Sequence, residues 1–147
     1  MTPFDLVLVP FPFTDLSAAK FRPCLVLSSI HPAGLAAHYV VSMVTSQVAV
    51  ARFPHDVIIR EWREAGLPKP SLIRLAKMVT VEESVIRRRF GALRAEDANE
   101  VRRQFQRLFS SLLATKRAFP ARNRSEHSER RPVEAGEAGE DRNIAAG

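Results

Sequence analysis

Residues 7–28, VLVPFPFTDLSAAKFRPCLVLS, are two apolar runs rich in Val and Leu, separated by a polar loop that returns through Arg22 and Pro23. Runs so short, bounded by Pro, Thr, Asp and Ser, predict strands rather than helices. The same signals predict strands over residues 4–9, 23–28, 39–45 (YVVSMVT), 55–60 (HDVIIR), 71–75 (SLIRL, with a continuation to 79) and 85–90 (VIRRRF). Between the fourth and fifth, EWREAGLPKP forms a polar turn punctuated by Gly66, Pro68 and Pro70. Several short strands with turn signals between them predict a mainly β fold, a small closed barrel rather than a βαβ sheet.

The period changes after residue 95. Ala98, Val101, Phe105, Leu108, Phe109 and Leu112 recur at three- and four-residue spacing, with Arg102, Arg103, Gln106 and Arg107 off the stripe, so 96–114 is read as an amphipathic helix. Glu96 and Asp97 suit the positive end of its dipole, while Arg94 and Ala95 offer no capping side chain. From residue 119 large apolar side chains nearly vanish, and such a segment buries too little surface to offset its ordering entropy. The expected organisation is one domain over 1–117 and a disordered tail over 118–147.

The formal charge of +6 is uneven: residues 1–117 carry 17 Lys/Arg against 10 Asp/Glu, a net of +7, and the tail carries 5 against 6, a net of −1. A basic domain concentrates polyanions near it, which makes nucleic acid a natural partner. Cys24, the single cysteine, excludes an internal disulfide and a cysteine zinc site, and reads as a buried structural thiol. The N-terminal apolar run lacks a basic flank and is broken by Pro10, Pro12 and Asp15, so neither a signal peptide nor a membrane span is expected and the chain reads as cytoplasmic. No Gly-rich phosphate loop, metal-spaced cluster or serine-hydrolase elbow is present, so neither a metal nor a cofactor is expected.

Arg22 carries a planar fork that matches two phosphate oxygens, and its charge survives burial; on spacing alone, however, a solvated arginine at a strand edge is the favoured reading. Thr45 and Ser46 close the third strand in MVTSQ (43–47), where hydroxyls can meet a phosphate or simply favour β structure. Arg74 lies in SLIRLAK (71–77), and regular alternation puts residue 76 on its face, about 7 Å away. Arg87, Arg88 and Arg89 suit an RNA backbone, a partner protein or solvent. Trp62 and Tyr39 alone do not make the interleaved aromatic platform of a general single-strand binder.

The 7–28 segment, the Arg22–Pro23 pair opening an apolar strand, MVTSQ, AGLPKPS at 65–71 and the closing helix together resemble the PemK/MazF family of bacterial toxins over residues 4–113. The resemblance implies an SH3-like small β-barrel with a C-terminal amphipathic α-helix, forming a homodimer whose groove binds single-stranded RNA. It implies metal-independent endoribonuclease cleavage to 2′,3′-cyclic phosphate and 5′-OH ends, growth inhibition, and a cognate acidic antitoxin. It assigns catalytic roles to Arg22, Thr45 and Arg74, and RNA contacts to Lys20, Ser46, Gln47 and Lys77. Family members carry an acidic residue two places after the arginine of the fifth strand, proposed as general base; here that place is Ala76. Asp15, in the loop before Arg22, is the remaining candidate base, and His31 and His55 read as surface histidines. Two rival readings follow: a family member that has lost catalysis, and a gyrase poison resembling CcdB, whose terminal aromatic has no counterpart in NIAAG at 143–147.

Overall fold

The computed structural model describes residues 1–11, 20–50 and 53–114. Six strands, β1 (Asp5–Phe11), β2 (Lys20–Ile30), β3 (His38–Thr45), β4 (Asp56–Ile59), β5 (Ser71–Glu82) and β6 (Arg88–Ala92), precede α1 (Ala95–Leu108) and the short α2 (Ser110–Leu113). They form one antiparallel sheet in the order β4-β5-β3-β2-β1-β6. The fold is mainly β and barrel-like, with a C-terminal helix, although no ladder joins β4 to β6 among the described residues. The predicted strands are all present with shifted ends. β2 begins at Lys20 and β5 runs to Glu82, while Glu83–Val85 is a 3-10 turn that pushes the last strand to Arg88–Ala92.

Alternation along the strands sends apolar side chains to both faces of the sheet. Leu6, Leu25, Val44, Ile59 and Ile73 pack with Ala98 and Val101 of α1, whereas Val7, Val9, Cys24, Val26, Tyr39, Val41 and Val81 form a second core on the other face. Burial pushes the Cys24 thiol up to about 12, consistent with an inert structural role. Among the described residues three register shifts interrupt the sheet, one between Val26 and Ser28 on β2, a second between Ser42 and Met43 on β3, and a third between Leu6 and Val7 on β1.

At the second bulge Ser42 pairs with Met78 and Met43 with Arg74, so Leu75, Ala76 and Lys77 have no counterparts on β3. The Ser42 hydroxyl donates to the Leu75 carbonyl at 2.9 Å, partnering one of the groups freed there. The alternation reverses across the bulge. Ile73 and Leu75 point to the core beneath α1, while Val79 and Val81 point to the opposite one. Regular spacing between Arg74 and residue 76 is therefore corrected: Ala76 is exposed within the bulge, and the Arg74 side chain is 11% exposed.

The helix is shorter than its pattern predicts and its stripe is only half covered. Arg94 supplies no side-chain cap, α1 ends where Phe109 leaves helical geometry, and only Asp97, Ala98 and Val101 are buried. Asp97 serves a tertiary purpose beyond the dipole: its two carboxylate oxygens accept the N–H groups of Arg60 and Glu61 at 3.1 and 3.0 Å, fastening α1 to the turn after β4. Asp97→Ala leaves both donors to water and is expected to lower stability by about 2 kcal/mol. The measurement is a lower urea midpoint at unchanged slope, with a smaller loss in Asp97→Asn, which keeps one acceptor.

Candidate active site

The β2–β3 ladder ends at the pair Cys24–Met43, so residues 20–23 and 44–47 run on without pairing to each other. Between them opens a groove of about 330 Å³, closed on its third side by residues 67–71 on the approach to β5. Lys20, Arg22, Thr45, Ser46 and Gln47 line it, so five of the sequence-predicted residues meet in one place. Projecting the β2–β3 register two residues past its last pair sets Arg22 opposite Thr45.

Thr45 is nearly buried, and its Oγ1 accepts the Gln47 N–H at 3.2 Å, which leaves the hydroxyl proton available to a bound oxygen. Lys69, held between Pro68 and Pro70, adds a third cation that the sequence reading missed; a lone charge between two φ-restricted residues was its signal. Phe21, also missed, lines the groove 51% exposed, with the Arg87 guanidinium 5.8 Å from its ring centre. The described lining holds three cations and two uncommitted hydroxyls (Thr45, Ser46) but no carboxylate or imidazole. That composition suits a phosphodiester backbone.

Arg74 and Lys77 are not in this lining. Because Thr45 pairs with Leu72, Arg74 sits on the same sheet face two residues further along β5. Its Nη2 donates to Asp56 Oδ2 at 3.3 Å, and its guanidinium lies 4.6 Å from the Phe53 ring centre, with the Lys77 ammonium 5.1 Å from the same ring. Asp15, the candidate base, lies outside the described residues. His55 meets Gln104 of α1 at 3.2 Å and His31 is exposed; neither lines the groove. The Arg87–Arg89 run is divided among separate contacts, with Arg88 over Phe90 and Arg89 bonded to Asp5 at 2.8 Å. Burial opposes ionisation of Asp5, but the bonds from Arg89 and the Thr2 N–H together hold its carboxyl below the usual value. Among the described residues no group of three His, Cys, Asp or Glu is placed to hold a metal, and no helix is long and apolar enough to cross a membrane.

Comparison with known proteins bears on the family and the fold. The profile of the PemK-like, MazF-like toxin of type II toxin-antitoxin systems matches residues 2–109. An endoribonuclease in complex with its cognate antitoxin, from a mycobacterial species, superposes with a TM-score of 0.55 at 13% identity, covering 75% of this chain and 95% of that one. MazF of Deinococcus radiodurans gives 0.54 at 21% identity, with 75% and 96% covered. The MazE-MazF structure from the same organism gives 0.51 at 20%, with 74% and 94% covered. At these identities the superpositions show a shared fold. Among proteins of curated function, no sequence matches.

Proposed function

The chain belongs to the PemK-like, MazF-like toxin family of type II toxin-antitoxin systems, and from that premise we propose that it is a metal-independent endoribonuclease acting on single-stranded RNA. The observation that carries this reading is the meeting of Arg22, Lys20, Lys69 and the Thr45 hydroxyl in one groove whose described lining has no carboxylate.

The reaction is transesterification. The 2′-oxygen attacks phosphorus, the bond from phosphorus to the 5′-oxygen breaks, and the products are a 2′,3′-cyclic phosphate and a 5′-OH. Arg22 offers two parallel N–H donors to the oxygens that gain charge in the phosphorane, an interaction stronger in the transition state than in the ground state. Thr45 donates its hydroxyl proton to a neighbouring phosphate oxygen, held in orientation by the Gln47 N–H. Lys20 and Lys69 hold flanking phosphates, and Ser46 and Gln47 contact the strand. The proton of the 2′-OH passes to Asp15, and the departing 5′-oxygen takes a proton from solvent to become the 5′-OH. A single strand is required because the attacked linkage must turn in line and its bases must splay. The same cationic groove accepts an acidic antitoxin segment by charge complementarity, and a homodimer would present two such grooves in the cytoplasm.

A second reading, a family member that binds RNA without cutting it, draws on Ala76 and on the absence of carboxylate and imidazole from the described lining. Induced expression in a bacterial host separates the two. Growth arrest with transcripts cut at discrete sites bearing 5′-OH ends is expected for the wild type and absent for Arg22→Ala; equal toxicity of the two with intact transcripts would support the binding-only reading.

A further inference from the structure

Phe53 stands 44% exposed at the entry to β4. Its surroundings are built. The Asp56 side chain, 2% exposed, accepts the Phe53 N–H at 3.0 Å and the Arg74 guanidinium at 3.3 Å through the same oxygen, so one buried carboxylate fixes both the backbone of Phe53 and the cation beside its ring. Arg74, mostly buried, packs against the ring, and Lys77 also reaches it. Packing against the Arg74 guanidinium orients the ring, which stays 44% exposed.

The geometry points to Phe53 as a base-stacking subsite for the RNA, with Lys77 meeting an adjacent phosphate. Arg74 lies on the same face as Thr45, two residues along β5 from Thr45's partner Leu72, a step of about 7 Å. Leu72 is itself two strand spacings, about 10 Å, from Arg22, so a strand whose scissile phosphate rests on Arg22 reaches Phe53 a few nucleotides away. An aromatic face accepts any base, while a cation at its edge meets the backbone; that pairing is how single strands are held outside a cleavage centre. Asp56 and Arg74 act as positioning residues for the ring. The subsite rests on the ribonuclease reading and assigns to Phe53 part of the site's preference along the strand.

The test uses the full chain and a fluorescent 2′-O-methyl oligonucleotide, which cannot be cleaved, spanning a site that the wild type cuts in RNA. Phe53→Ala is expected to weaken binding about 5- to 100-fold with an unchanged salt slope, Phe53→Trp to restore it, and Lys77→Ala to reduce the slope by about one ion. Abasic substitution at successive positions gives the decisive readout. One position should cost the wild type affinity and cost Phe53→Ala nothing further. Binding by folded Phe53→Ala equal to the wild type, or equal sensitivity of both proteins at every abasic position, overturns the subsite while the ribonuclease reading stands. A wild type that neither cuts nor binds RNA overturns both.

Discussion

Arg22→Ala is expected to slow RNA cleavage by about 100- to 1000-fold, the loss seen when one preorganised donor to a developing oxyanion is removed. The Arg22 side chain lines the groove, and nearby Cys24 contacts its carbonyl rather than its guanidinium, so truncation leaves the strand's own bonds in place. The melting temperature is measured alongside, so that a loss of activity is read against the folded fraction. Arg22→Lys separates charge from shape: a lysine keeps the cation but not the fork, so it should recover RNA binding more fully than cleavage. Single-turnover rates on one defined RNA check both variants. Equal rates for Arg22→Ala and wild type would remove the guanidinium from the chemistry.

The largest effect on stability is expected at a pair of glycines that do not line the groove. Gly66, at φ +86°, and Gly91 of β6 bring two backbones together: a Cβ on Gly91 would lie 2.4 Å from the Ala65 carbonyl oxygen, and one on Gly66 would lie 2.3 Å from that of Phe90. The obstructing atoms are backbone, so no side-chain rotation relieves the clash. Gly91→Ala should cost about 3 kcal/mol, lowering the melting temperature by roughly 10–20 °C. Gly34→Ala is the matched control. Its φ of +73° is also left-handed, but nothing lies within 4 Å of its Cβ, so only the backbone cost of about 1 kcal/mol applies. The contact has a functional side, because Gly66 precedes the segment that delivers Leu67, Pro68 and Lys69 to the groove. Gly91→Ala should accordingly weaken RNA binding in the fraction that remains folded.

The groove was legible in the sequence where its residues lie on local motifs. Arg22 beside Pro23 and Thr45 at the end of an apolar strand are set by their immediate neighbours, and both reach the groove as expected. Arg74 keeps the regular register from Leu72 and lies two residues beyond the groove, whereas the place of Lys77 depends on the bulge at Leu75–Lys77, which leaves no pattern in β5 itself. Phe53 and Phe21 passed unnoticed for a different reason. A chain with nine phenylalanines is read as having a Phe-rich core, and only the coordinates separate those two from Phe11, which is buried. The helix shows the converse error. Its stripe continues to Leu112, yet full burial stops at Val101, Leu108 packs only partly against the core, and Phe105, Leu112 and Leu113 remain exposed.

The most direct measurement incubates purified wild type, Arg22→Ala and Thr45→Ala with a long defined RNA in excess EDTA and maps the position and chemistry of every new end. Discrete cuts with 5′-OH ends in the wild type that disappear in both variants are the predicted result. Cutting unchanged by either substitution, or no cutting by folded wild type across a broad range of RNA sequences, would contradict it.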